Sequence, residues 1–168
     1  CLKRAWRTVR WENHHKEALW RLALDGVPLR GNSHVTGQPA ACVCGAQVSP
    51  TPRVHHFWSC AIAQAVIVDM AQSSHAHITR EGIWLLQLPV GVQECVWFVV
   101  CMAALTAMEQ GRRHAKALVK RGQAAGAAAR ASAHAVTAFW GRLSNFVALG
   151  APPKGWTNVS AVHPFSGV

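Results

Sequence analysis

The sequence predicts a mostly α-helical protein: a small, irregular helical domain built around one tight Cys/His turn. Three observations predict it. Apolar residues recur at helical rather than alternating intervals over most of the 168 residues. The uncharged run of 14 residues from Cys95 to Met108, C-V-W-F-V-V-C-M-A-A-L-T-A-M, falls short of the roughly 18–20 apolar residues of a membrane span, so it reads as a buried helix. The third is the segment Ala41 to Cys60, A-C-V-C-G-A-Q-V-S-P-T-P-R-V-H-H-F-W-S-C, in which thiols and imidazoles flank a Gly- and Pro-containing loop.

Residues 1–30 form a basic N-terminal helical segment. Arg4 and Arg7, with Lys3 and Arg10, recur at helical spacing around Trp6 and Trp11. That arrangement suits phosphate contacts and equally a solvated basic face. From Trp11 to Asp25, Ala18, Leu19, Leu22 and Ala23 mark an apolar stripe widened by Trp20 and Leu24, and Gly26, Val27 and Pro28 stop the helix.

Residues 31–75 hold the Cys/His turn and the helix after it. Ser59 is placed to cap that helix, Ala61 to Gln72, whose Ile62, Val66 and Met70 share one face. His75 and His77 follow in a loop as a reserve ligand pair.

Residues 76–150 read as a helical extension. Glu81 to Pro89 is a short helix or a turn onto the core, and the buried run follows it. Residues 111–121, G-R-R-H-A-K-A-L-V-K-R, then form a basic helical segment. Its Arg112, Arg113, Lys116, Lys120 and Arg121 can track a phosphate backbone or simply coat a solvated helix. The Ala-rich residues 122–133 lack a bulky anchor and read as a helix by propensity or a linker. A last helix, near Ala131 to Leu149, carries Val136, Phe139, Trp140, Leu143, Phe146 and Val147 on a broad stripe. Residues 151–168 are an irregular tail.

Charge narrows the function. There are 17 Lys and Arg against 7 Asp and Glu, a formal +10, and every acid lies at or before Glu109. Such a balance points to a polyanionic partner, RNA or DNA held through its phosphates, or to other protein subunits in a larger assembly. Polymerase and nuclease chemistry needs clustered carboxylates for divalent metals, and no two acids here are adjacent, so the chain reads as no enzyme. Six irregularly spaced cysteines without a signal peptide argue for an intracellular, reducing compartment, the nucleus or an organelle. A chain that begins at Cys1 is expected to be a fragment or a processed product.

The Ala41 to Cys60 segment carries the sharpest chemistry. Soft N and S donors in two short pairs across a loop suit one tetrahedral Zn²⁺, each pair supplying one edge, so the segment reads as zinc-knuckle-like. Cys42, Cys44 and Cys60 supply thiolates, and His55 or His56, five and four residues before Cys60, supplies an imidazole. Gly45 allows the chain to turn sharply after the pair. Cys42 and Cys44 are separated only by Val43, where zinc pairs usually leave two residues. The competing readings are buried thiols without metal and redox chemistry at Cys42 and Cys44.

With these residues in view, L-W-R-L-A-L-D-G-V-P, then C-V-C-G, a spacer and H-H-F-W-S-C-A-I-A-Q-A-V resemble the zinc-binding region at the C-terminal end of non-LTR (LINE-type) retrotransposon reverse transcriptases. The resemblance spans Ala18 to Val66. It implies Cys42, Cys44, His55 and Cys60 as zinc ligands, and a nucleic-acid-binding module without polymerase activity of its own. The stretch from L-P-V-G-V-Q-E-C-V-W to F-W-G-R-L-S-N-F-V is similar to C-terminal extensions of green-algal retroelement proteins. A domesticated copy acting as a structural subunit of a ribonucleoprotein or organellar complex is the alternative.

Overall fold

Apolar stripes that repeat every three or four residues must be covered, and the helices of this chain cover one another. The computed structural model describes residues 13–24, 42–46, 52–74 and 77–148. Arg4, Arg7 and the tail 151–168 lie outside the described residues. The helices are α1 (Asn13–Ala23), α2 (Ala61–Ser74), α3 (Arg80–Trp84), α4 (Glu94–Lys120) and α5 (Ala127–Ala148), with a short helical hook, Pro52–Ser59, leading into α2. Among the described residues the regular structure is helical throughout, without a strand. None of these helices is long and apolar enough to cross a membrane.

α4, 27 residues and therefore about 40 Å long, is the axis of the fold. Val96 to Leu105 are buried without interruption, so this stretch needs no polar face. Trp97 donates its indole N–H to the Gly82 carbonyl at 3.0 Å, tying α3 to α4. α3 itself starts where Thr79 Oγ1 accepts the Gly82 N–H at 2.9 Å, an N-cap that satisfies a donor the helix cannot.

The sequence suggests a separate basic helix from Gly111, whereas α4 runs unbroken to Lys120. Gly111 is there for packing. A Cβ on it would lie 2.6 Å from Ile62 Cγ2, 2.7 Å from Ala135 Cβ and 3.0 Å from the Ala131 carbonyl oxygen, so α2, α4 and α5 meet at this one point. α4 ends in a Schellman motif, with Gly122 N–H bonded to Val119 O at 3.0 Å and Gln123 N–H to Leu118 O at 2.9 Å.

α5 begins four residues earlier than the sequence suggests, and its anchor is small. Ala127, Ala131 and Ala135 are buried in line with Phe139 and Leu143. Methyl groups serve here because the helices approach closely at Gly111, and a larger side chain has no room. Trp140 of α5 donates to Asp69 of α2, closing the three-helix contact. α1 lays Ala18, Leu19 and Leu22 on the core, but Trp20 and Leu24 are 51% and 61% exposed, so its buried stripe is narrower than expected. Arg21 of α1 reaches Glu109 of α4 at 3.2 Å.

Candidate metal centre

The site is assembled by two pieces of backbone that turn for identifiable reasons. In the first, Gly45 N–H donates to the Cys42 carbonyl and Cys42 N–H to the Ala46 carbonyl, both at 2.9 Å, so Cys42 to Ala46 close on themselves. Gly45 sits at φ +87°, a conformation that favours glycine. In the second, the hook ends in a π-helical turn, His55–Ser59, closed by Cys60 N–H donating to the His55 carbonyl at 2.7 Å. A π turn widens the helix by about one residue, which brings positions five apart onto one edge. That is why His55 rather than His56 meets Cys60.

Cys60 then leaves the hook with extended backbone and opens α2. Its carbonyl accepts the Gln64 N–H at 2.8 Å, which makes Cys60 the N-cap; Ser59, expected in that role, is exposed and belongs to the preceding turn. A sulfur at this position also lies at the positive end of α2.

Among the described residues, Cys42, Cys44, His55 and Cys60 bring one donor atom each within 4.8 Å of one another, and together they can hold a metal ion. Cys42 Sγ lies 3.9 Å from Cys60 Sγ, and Cys44 Sγ lies 3.4 Å from His55 Nε2. A tetrahedral ion with bonds of about 2.3 Å to sulfur and about 2.0–2.1 Å to nitrogen needs edges of about 3.8 Å and about 3.6 Å respectively. Two of the six edges therefore match those such an ion requires, and the other donor pairs lie within 4.8 Å.

The one-residue Cys42/Cys44 spacing raises the question of whether backbone amides can still reach the sulfurs. The backbone amides of Cys44, Ala46 and Ile62, each two residues on from a thiol, act to lower the pKa of Cys42, Cys44 and Cys60 respectively. Amide donors directed at sulfur favour thiolate over thiol. In the protein without metal, Cys42 is held well below the ordinary thiol range by the hydrogen bond from Cys60, and Cys60 is pushed up by that same bond and by burial. Burial also raises Cys44. A cation must displace the protons of Cys44 and Cys60 to bind, so its hold weakens as pH falls.

His56 is buried beside the cluster without belonging to it. Desolvation draws its pKa below the ordinary imidazole value, against the opposing influence of nearby Cys42, and its Nδ1 has no partner. His77 is exposed and away from the cluster, and His75 lies outside the described residues. Cys101 is fully buried, directed toward the Gly82 carbonyl, and Cys95 is half-buried; both are thiols on α4 outside any disulfide.

The basic segment divides. Arg113, with its side chain 64% exposed, pairs with Glu109 at 3.2 Å; Lys116 is half-buried, and Lys120 and Arg121 are exposed. Arg112 does not join them. It is 7% exposed, on the inner face of α4, so its expected role as a phosphate contact is corrected. The helical period held part of the signal: Met108 and Ala115, about one turn to either side of Arg112, are buried, whereas Lys116, one turn on, is half-buried and Arg113 and Lys120 lie farther toward solvent.

Fold and site together define a small helical domain that carries a Cys3His cluster able to hold a metal ion. Comparison of the chain with known protein families, with curated proteins and with solved structures finds no match.

Proposed function

We propose that the chain is a zinc-stabilised nucleic-acid-binding module, derived from a retrotransposon reverse transcriptase, that grips phosphate without performing catalysis. The observation that carries this reading is the basic row Arg113, Lys116, Lys120 and Arg121, exposed except for the half-buried Lys116, at the end of a helix that contacts the His55–Ser59 turn. Zinc suits three thiolates and one imidazole at tetrahedral spacing better than the hard cations, which prefer oxygen. The ion would act as a structural pin, joining the Cys42 turn to the start of α2.

A row of point charges on one helix face meets phosphates without reading bases, so RNA and DNA are both candidate partners. Four phosphate contacts predict that log K falls with log[salt] at a slope of about −3 for single strands and about −3.6 for duplex. Lys120→Ala should reduce that slope by about 1 without changing sequence preference. Fluorescence anisotropy of labelled oligonucleotides at low to physiological salt checks both, and a flat salt response contradicts phosphate contact.

A second reading, a structural subunit held by protein neighbours, draws on a different observation. Leu22, Ala23, Trp84, Leu85 and Leu86 line an open apolar hollow of about 550 Å³, with Leu85 and Leu88 about half exposed nearby. The same titration separates the two, because a chain built mainly for protein contacts shows no tight nucleic-acid binding at low salt.

A further inference from the structure

Of the basic residues in 111–121, Arg112 alone is buried. The close approach at Gly111 places it where α4 touches Ile62, two residues beyond the ligand Cys60. A guanidinium is not drawn out of water without an anion to meet it. Glu109, one turn back, is the nearest carboxylate, but Arg21 and Arg113 already hold it at 3.2 Å each. The other groups within electrostatic reach of Arg112 that can carry a negative charge are Cys42 and Cys60, which a bound cation would hold as thiolates.

Charge on the cluster points the same way. Three thiolates, one neutral imidazole and one divalent cation leave a single net negative charge, on a cluster whose His55 and Cys60 are buried and whose Cys42 and Cys44 are half-buried. A guanidinium remains protonated at any working pH, so it can neutralise that charge permanently. We propose that Arg112 is the counter-cation of the metal-loaded cluster, a positioning residue whose buried charge offsets the one negative charge left on three thiolates and links metal occupancy to the packing of α4. This rests on reading Cys42, Cys44, His55 and Cys60 as a metal centre.

Outer-shell partners of metal sites typically change affinity by about 10–100-fold. The test is titration of zinc against a chromophoric chelator for the wild-type chain and for Arg112→Met, Arg112→Gln and Arg112→Lys, with circular dichroism recorded beside it. Arg112→Met keeps bulk and removes charge, and it should bind zinc about 10–100-fold more weakly. Arg112→Lys should recover most of the loss. Where a neutral variant does not fold without metal, the rate of zinc release from loaded protein is compared between Arg112→Lys and Arg112→Gln, and the neutral one should release faster. Neutral variants that match the wild type overturn the role of Arg112 while leaving the metal centre in place. A wild-type chain that takes up no zinc overturns both. The salt slope for oligonucleotide binding should stay unchanged in Arg112→Met; a slope reduced by about 1 would assign Arg112 to phosphate instead.

Discussion

Cys60→Ser is expected to release the metal and loosen the helical core in a single step. Cys60 is fully buried and holds three positions at once: a corner of the donor cluster, the end of the π turn and the N-cap of α2. Structural zinc contributes about 10–16 kcal/mol in small domains, so one ligand of four represents about 2.5–4 kcal/mol, or about a hundredfold to a thousandfold in affinity. The variant should lose zinc to a mild chelator and lose helical ellipticity with it. His55→Ala should behave alike, whereas His56→Ala should keep the ion because His56 only flanks Cys42. Cys95→Ser, outside the cluster, serves as the control. If His56→Ala released zinc while His55→Ala retained it, the ligand assignment from the π turn would be wrong.

Gly111→Ala is expected to destabilise the protein although alanine is the better helix former. The intrinsic gain is about 1 kcal/mol. Against it stands a methyl that would lie 2.6 Å from Ile62 and 2.7 Å from Ala135, both fully buried, and 3.0 Å from a helical carbonyl that cannot swing aside. Overpacking of this kind costs about 1–3 kcal/mol, and three crowded neighbours from two other helices place it at the upper end. The net loss of about 2 kcal/mol corresponds to a fall in Tm of about 4–8 °C. Denaturant and thermal melts with saturating zinc report it, and a raised Tm would mean that the three helices do not meet at this point. Because Ile62 follows Cys60 so closely, the variant should also bind zinc less tightly.

Helical periodicity in the sequence is enough to place the helices, and the buried stripe of α4 is plain from its uncharged run. What escapes sequence reading is how small residues act. Ala127 and Ala131 look like a linker until Gly111 supplies the surface they pack on, and a glycine inside a helix looks like a break until its neighbours are known. The donor segment was legible as a set, because thiols and imidazoles across a loop have few other uses. The choice of His55 over His56 came from the family resemblance rather than from spacing, which leaves both residues open; the structure places His55 in the cluster, in a π turn five residues before Cys60. Cys42 beside only Val43 raised doubt because zinc pairs usually leave two residues between them, yet Cys42 Sγ stands 3.9 Å from Cys60 Sγ in the same donor cluster as Cys44. Arg112 was misplaced for a different reason. Its neighbours in sequence are basic, but Met108 and Ala115, about one turn to either side, are buried and draw it inward.

Metal analysis of the chain purified without chelator tests the central claim most directly. One zinc ion per chain is expected, with all three cluster thiols protected from alkylation until the ion is removed. A folded, metal-free protein whose Cys42 and Cys44 form a disulfide on mild oxidation would contradict it.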